Sequence, residues 1–137
     1  MEITRETDYA IRCILYISGK PGEINMIDVI AREMQIPKSF LAKILQKLAR
    51  ASLVKSFRGV KGGFQLARVP EEISLLDVME AIEGEVSMNV CALDETLCGR
   101  SKTCPVHPIW VEITKDFRKV LKKYNFASLK ISGKVSY

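Results

Sequence analysis

The chain has 137 residues, of which 47% are hydrophobic and 27% are charged. This length suits one folded domain with a core, is too short for two ordinary domains, and the composition excludes a disordered chain. No apolar run approaches the roughly 20 residues that a membrane-spanning helix requires, and the N-terminal residues lack the basic start and apolar block of a secretory signal. We therefore expect a soluble protein of the cytoplasm, a compartment in which thiols stay reduced.

The distribution of charge is more informative than the net charge of +5. Residues 1–70 carry 12 basic and 6 acidic residues, and the window 38–68 carries 8 basic residues and no acidic one. A field of one sign attracts a polyanion such as a nucleic acid. An ordinary solvated face, which is the alternative, usually interleaves acids with bases.

Apolar periodicity predicts three helices in the first part of the chain. The first covers about residues 4–18 and is apolar nearly all round, so it should be buried on more than one side. The second begins near Asn25 or Met26 and ends before the proline turn 35–37, because the residue before a proline disfavours helical geometry. The third starts at Lys38 or Ser39 and displays a polar, mostly basic face. Two short helices across a tight turn predict a helix-turn-helix.

Two alternating runs, 53–57 and 64–67, flank the glycine-rich segment 58–63 and predict a β-hairpin. Its tip is basic and has little side-chain bulk, which lets the backbone approach phosphate closely. A hairpin that directly follows a recognition helix is the wing of a winged-helix domain.

The second part of the chain predicts two more helices around a cysteine-rich loop. An amphipathic helix covers 71–83, the loop runs from Gly84 to Pro105, and a long helix starts near Pro105 or Pro108 and ends near Tyr124. The long helix aligns one apolar side formed by Ile109, Ile113, Phe117, Val120, Leu121 and Tyr124. A small domain leaves little core to cover this helix, so we expect it to pair with a symmetry mate. The tail after Tyr124 gives no clear signal, and we expect it to be partly disordered.

The predicted fold is therefore mainly α with a small β-hairpin. A winged helix-turn-helix domain covers 1–83, a cysteine-rich loop covers 84–107, and a dimerisation helix with a tail covers 108–137. The predicted DNA contacts lie on the recognition helix, in the major groove, and on the wing, at phosphates and the minor groove. They are Lys38, Ser39, Phe40, Lys43, Gln46, Lys47, Arg50, Arg58, Lys61, Gly62 and Gly63. The alternatives are a surface helix with ordinary lysines and a hairpin turn whose glycines serve its own geometry.

Three cysteines and the chain's one histidine follow the pattern Cys91-x6-Cys98-x5-Cys104-x2-His107. Thiolates are soft ligands that suit iron–sulfur clusters and zinc. A Cys3His set also suits structural tetrahedral zinc, and two thiols can form a reversible disulfide. Cys13 lies far away on the first helix and is predicted to be a core residue.

Two other classes of function fit the sequence less well. An enzyme is disfavoured because no nucleophile–base constellation and no phosphate-binding glycine loop is present. A protein-interaction module without DNA binding is disfavoured by the acid-free basic window. A salt-dependent DNA-binding assay separates that module from a DNA-binding protein.

The segment SFLAKILQKLARASLVKSFRGVKGGFQLAR, followed by the cysteines and CPVHPIW, resembles the iron–sulfur regulators of the IscR, NsrR and RirA family. The resemblance covers residues 1 to about 125. It implies a homodimeric winged-helix transcription factor, usually a repressor, that binds near-palindromic double-stranded DNA operators. Such proteins sense cluster status, nitric oxide, iron or redox state, so the resemblance implies that the three loop cysteines hold a cluster that controls operator affinity.

The resemblance implies two candidates for a fourth ligand. The IscR-like pattern points to His107 and suits a [2Fe–2S] cluster, which we favour. The NsrR branch points to Asp8, which would reach the partner subunit's cluster and suits [4Fe–4S]; its alternative role is a salt bridge to Arg12 at i, i+4. The chain departs from the IscR-like pattern with six residues, rather than five, between the first two cysteines. Ala42 also stands where the IscR branch has an acidic residue that tunes operator choice.

Overall fold

The computed structural model describes residues 2–129, and the predicted fold class is confirmed. Over those residues the chain forms five α-helices and one two-stranded antiparallel hairpin. The elements are α1 Arg5–Ser18, α2 Ile27–Met34, α3 Lys38–Arg50, β1 Val54–Phe57, β2 Gly63–Leu66, α4 Leu75–Glu83 and α5 His107–Lys123. Short 3₁₀ turns cover Pro70–Glu72, Val90–Ala92 and Glu95–Leu97. None of the helices within residues 2–129 is long and apolar enough to span a bilayer.

Helix α1 forms the centre of the core, because it packs against α2, α3 and α4. Its inward side chains Ala10, Cys13 and Ile14 are completely buried. They meet the buried row of α3, which includes Leu41 and Leu45. The predicted burial of the first helix on more than one side is thereby confirmed.

A left-handed residue makes the tight turn between α2 and α3. Gln35 has φ 52° and ψ 51°, and the backbone N–H of Ile36 donates to the carbonyl of Ala31 over 2.9 Å. Ile36 is buried, and Pro37 then precedes the first turn of α3. This turn sets α3 across α2 with one face in the core and the other in solvent, as a helix-turn-helix requires.

The wing is attached to the chain segment that precedes α2. Strands β1 and β2 pair in the register Val54↔Leu66 to Phe57↔Gly63. The N–H of Asn25 donates to the carbonyl of Phe64, and the N–H of Phe64 donates to the carbonyl of Asn25, each over 2.8 Å. Because these two hydrogen bonds fix β2 beside residue 25, the wing has a defined position relative to the recognition helix.

Gly63 is required at this attachment, and we expect Gly63→Ala to destabilise the domain. A Cβ at residue 63 would lie 2.3 Å from the carbonyl oxygen of Asn25, so the backbones must separate and their hydrogen bonds must lengthen. We expect a loss of about 2–3 kcal/mol in the free energy of unfolding, measured by denaturant unfolding. Gly99→Ala is the matched control, because a Cβ there meets no atom within 4 Å. Equal stabilities of the two variants would contradict this role of Gly63.

The helix predicted over 71–83 begins later than the sequence indicated. Ser74 caps it: the Ser74 hydroxyl accepts from the N–H of Asp77, and the Asp77 carboxylate accepts from the N–H of Ser74 over 2.8 Å. Glu71 and Glu72 belong to a separate 3₁₀ turn after Pro70. The capping box satisfies the first N–H groups of the helix, so α4 starts at Leu75.

The first residues of the tail, 125–129, are ordered. Tyr124 accepts from the N–H of Leu75 over 3.0 Å, and the N–H of Phe126 donates to Ile73 over 3.0 Å. Phe126 is only 1% exposed and belongs to the main core. One large apolar side chain therefore brings the segment after α5 back to the winged domain, while the rest of the predicted tail, 130–137, lies outside the described residues.

Candidate nucleic-acid interface and cysteine loop

Helix α3 displays the face that the sequence predicted for DNA contact. Its apolar residues are buried, whereas Lys38, Ser39, Phe40, Lys43, Gln46 and Arg50 are exposed and Lys47 is half-buried. We call the outer surface formed by Glu6, Phe40, Lys43, Gln46, Lys47 and Arg50 the reading face; it surrounds a groove of about 380 Å³. The basic side chains have the composition and placement for phosphate and base-edge contact.

Two acids from outside the basic window neutralise two of its lysines. The Nζ atom of Lys47 lies 2.7 Å from Oε1 of Glu6, and the Nζ atom of Lys38 lies 2.7 Å from Oδ1 of Asp28. The window is free of acids in sequence but not in space. Sequence reasoning missed Glu6 because its contact with α3 is tertiary, across forty residues.

The first half of α1 borders the reading face through an aromatic contact. The rings of Tyr9 and Phe40 meet edge to face with centroids 6.3 Å apart, and the Arg12 guanidinium lies 5.3 Å from the Tyr9 centroid. Asp8 forms the i, i+4 salt bridge with Arg12 that was its alternative role, with 2.8 Å between Oδ2 and Nη2. Asp8 is therefore engaged within α1.

The wing exposes the predicted DNA contacts Arg58 and Lys61. The glycines of the wing, however, are required by the backbone of the hairpin itself. A Cβ at Gly62 would lie 2.2 Å from the carbonyl oxygen of Phe57, and Gly59 has φ +107°, a backbone conformation that favours glycine. Gly62 and Gly63 thus have a structural reason to be glycine that does not involve DNA.

The loop cysteines are free thiols that differ in burial. Cys91 is buried in the 3₁₀ turn 90–92, whereas Cys98 and Cys104 are half-buried. The N–H of Cys104 donates to Arg100 over 2.8 Å, and the N–H of Ser101 donates to Cys98 over 3.2 Å, so turns link the last two cysteines. Within residues 2–129, no three Cys, His, Asp or Glu side chains form a group that could hold a metal ion.

His107 is the first residue of α5, directly after the cysteine loop. Its Nδ1 atom is buried and has no hydrogen-bond partner among the described residues. An unpartnered buried nitrogen costs free energy that a metal ligand bond can offset. Cys13 has the opposite character: burial in the core raises the pKa of its thiol to about 12, so it stays protonated and unreactive, as expected of a core residue.

Hydrogen bonds tie the start of the cysteine loop to two helices. The N–H of Met88 donates to the buried hydroxyl of Thr114 on α5 over 3.0 Å. Arg118 on α5 pairs with Glu80 on α4 and also donates to the carbonyl of Val86 over 3.1 Å. The start of the loop is therefore bonded to α5 at the point where α5 pairs with α4.

Helix α5 leaves a long apolar stripe uncovered in the isolated chain. Of its described residues only Thr114 is buried. The stripe residues are between 39% and 55% exposed, and they are Ile109, Ile113, Phe117, Val120 and Tyr124. Leu121 of the predicted set is more buried than these stripe residues.

Comparisons with known proteins agree over nearly the whole chain. A family model described as "Rrf2: Iron-dependent Transcriptional regulator" matches residues 3–130. The HTH-type transcriptional regulator NsrR of Bacillus subtilis is 30% identical over 131 residues, which covers 94% of this chain and 90% of that protein.

Solved structures of two such regulators share the fold. The oxidised form of Staphylococcus aureus CymR aligns with a TM-score of 0.72 and 26% identity, covering 98% of this chain and all of that one. IscR of T. potens aligns with a TM-score of 0.72 and 22% identity, covering 94% and 85%. The chain is a DNA-binding transcriptional regulator rather than an enzyme, and it belongs to the Rrf2 family of winged-helix regulators.

Proposed function

We propose that the protein is a cytoplasmic homodimeric repressor whose operator affinity is set by an iron–sulfur cluster held by Cys91, Cys98, Cys104 and His107. The observation that carries the proposal is the buried, unpartnered Nδ1 of His107 at the end of a loop with three free thiols. The description of the family as iron-dependent supports iron as the metal.

The donor set fits a cluster in its chemistry. Three thiolates and one imidazole suit [2Fe–2S], which we favour; Asp8 as fourth ligand would suit [4Fe–4S], but it would first have to leave its salt bridge with Arg12. A bound cluster would supply an iron centre whose ligation responds to iron supply, oxidants or nitric oxide.

The chain's own residues supply the coupling to DNA. The three cysteines are not gathered in the structure, so ligation requires the loop to rearrange, as is common when metal binding is coupled to folding. Met88 and Val86, at the start of the loop, are bonded to Thr114 and Arg118, so a loop rearrangement shifts α5 relative to α4. Helix α4 in turn packs against α1 and α3.

A dimer converts this shift into a change of DNA affinity. The apolar stripe of α5 supports pairing of two copies, because uncovered stripes of this kind mark interfaces. Two recognition helices must then meet half-sites about 34 Å apart on one face of DNA. A small rotation of the domains about α5 changes that spacing, and the operator affinity with it.

The cluster is tested by the composition of protein purified without oxygen. We expect visible absorption, with iron and acid-labile sulfide bound in the wild type and both lost in Cys98→Ser. Cys13→Ala is the matched control, because it removes a thiol outside the loop and should keep the iron. His107→Ala should retain sulfide but change the absorption spectrum if His107 is a ligand. Colourless wild-type protein without iron would contradict the proposal.

A thiol switch is the second candidate, and it rests on the partial exposure of two thiols. Cys98 and Cys104 are less buried than Cys91 and lie in one short loop. A similar fold has been solved for an oxidised form of CymR. In this case a peroxide would take two electrons and two protons from the thiols, leaving a disulfide and water. Stoichiometric zinc in the purified protein would instead indicate a structural Cys3His site.

A further inference from the structure

The reading face includes a carboxylate that the DNA-binding role does not explain. Glu6 lies in the first turn of α1, where the helix dipole favours a negative charge. Its Oε1 atom is 2.7 Å from the Nζ atom of Lys47, with the two side chains 33% and 37% exposed respectively. A polyanion approaching the groove meets this acid together with Lys43, Gln46 and Arg50.

Several contacts hold Glu6 at this place. Thr4 caps α1, and the hydroxyls of Thr4 and Thr7 both donate to the Glu83 carboxylate of α4. These hydrogen bonds hold the pKa of Glu83 below its usual value. The carboxylate is therefore ionised at neutral pH and keeps accepting from both hydroxyls. One turn beyond Glu6, the ring of Tyr9 contacts Phe40 on α3. The start of α1 is thus fixed beside the reading face.

The Glu6–Lys47 pair changes what Lys47 contributes to DNA binding. A free lysine near phosphate releases a counterion and adds affinity for every DNA sequence. A lysine already neutralised by a carboxylate adds much less affinity, because the phosphate must either displace the carboxylate or bind beside its negative charge. The paired ammonium nonetheless keeps N–H donors for a base edge, so its contact depends on the base more than on the backbone.

We propose that Glu6 is a specificity-determining residue that withholds Lys47 from sequence-independent phosphate binding. The proposal rests on the proposed use of the α3 face for DNA contact. It assigns to α1 a part in DNA discrimination: the acid lowers the affinity of the regulator for random DNA. Discrimination therefore depends on an acid outside the basic window as well as on the basic residues of α3.

The test compares Glu6→Gln with the wild type on a random-sequence duplex over a range of salt concentrations. Releasing Lys47 should steepen the slope of log K against log salt by about 0.9 for each bound subunit, with about five- to tenfold tighter binding at moderate salt. Glu71→Gln is the matched control, since it removes the same charge from an exposed position outside the reading face. The double variant Glu6→Gln/Lys47→Gln should show neither the steeper slope nor the tighter binding of Glu6→Gln.

Each remaining outcome identifies which idea fails. If Glu6→Gln has the slope of the wild type, or if Glu71→Gln gains equally, the role of Glu6 is overturned. The same holds if the double variant keeps the full gain. The variant Lys43→Gln tests the proposed function instead. If its slope of log K against log salt falls by about 0.9 for each bound subunit, the α3 face is the DNA contact even when the proposed role of Glu6 is wrong. An unchanged slope in Lys43→Gln overturns both.

Discussion

Replacing Lys43 and Arg50 with glutamine together should weaken DNA binding by two to three orders of magnitude at moderate salt. Both side chains are exposed on the reading face, and no described acid forms a salt bridge with either. In a dimer the double change removes four cations, so the slope of log K against log salt should fall by about 3.6. Fluorescence anisotropy with labelled duplexes measures both quantities.

Lys119→Gln with Lys122→Gln is the matched control for this prediction. Both lysines are exposed, and their spacing places them on the side of α5 away from the apolar stripe. The control removes the same charge from the chain, so it should change affinity far less. An equal loss in both double variants would mean that net charge, rather than the reading face, drives binding.

Replacing Phe126 with alanine should destabilise the domain by about 3–5 kcal/mol. The ring is 1% exposed and joins the core formed by α1, α3 and α4. Its loss leaves a cavity and weakens the bonds by which Phe126 and Tyr124 hold Ile73 and Leu75. Denaturant unfolding of the full chain measures the change.

Phe57→Ala is a control for the loss of an aromatic ring as such. Phe57 ends β1 and is 38% exposed, so its removal should cost much less stability than the loss of Phe126. If Phe126→Ala unfolds at the same denaturant concentration as the wild type, the segment after α5 does not contribute to the core.

The DNA-binding half of the fold was predictable because its signals are local. The spacing of Leu41, Ile44, Leu45 and Leu48 predicts which face of α3 is buried, and the turn at Pro37 predicts where the helix begins. The sequence predicts too early a start for α4, because the acids 71–72 suit a helix start as well as a 3₁₀ turn. The capping box at Ser74 decides between them.

The features that the sequence did not predict depend on tertiary contacts. Nothing near Glu6 indicates its partner Lys47, which only the packing of α1 on α3 brings within 2.7 Å. Phe126 lies in a segment without periodicity. Its burial depends on a core formed by residues that are distant from it in the sequence. The cysteine spacing predicts a ligand set but not the arrangement of the loop before ligation.

The most direct test of the account is the DNA affinity of one protein preparation with and without the proposed cluster. The operator can be selected from a random pool by the anaerobically purified protein, and the same duplex is then titrated with the loaded and the stripped forms. We expect affinities that differ by at least about tenfold, within the usual range of allosteric coupling. Equal affinities of the two forms would contradict control of DNA binding by the cysteine loop.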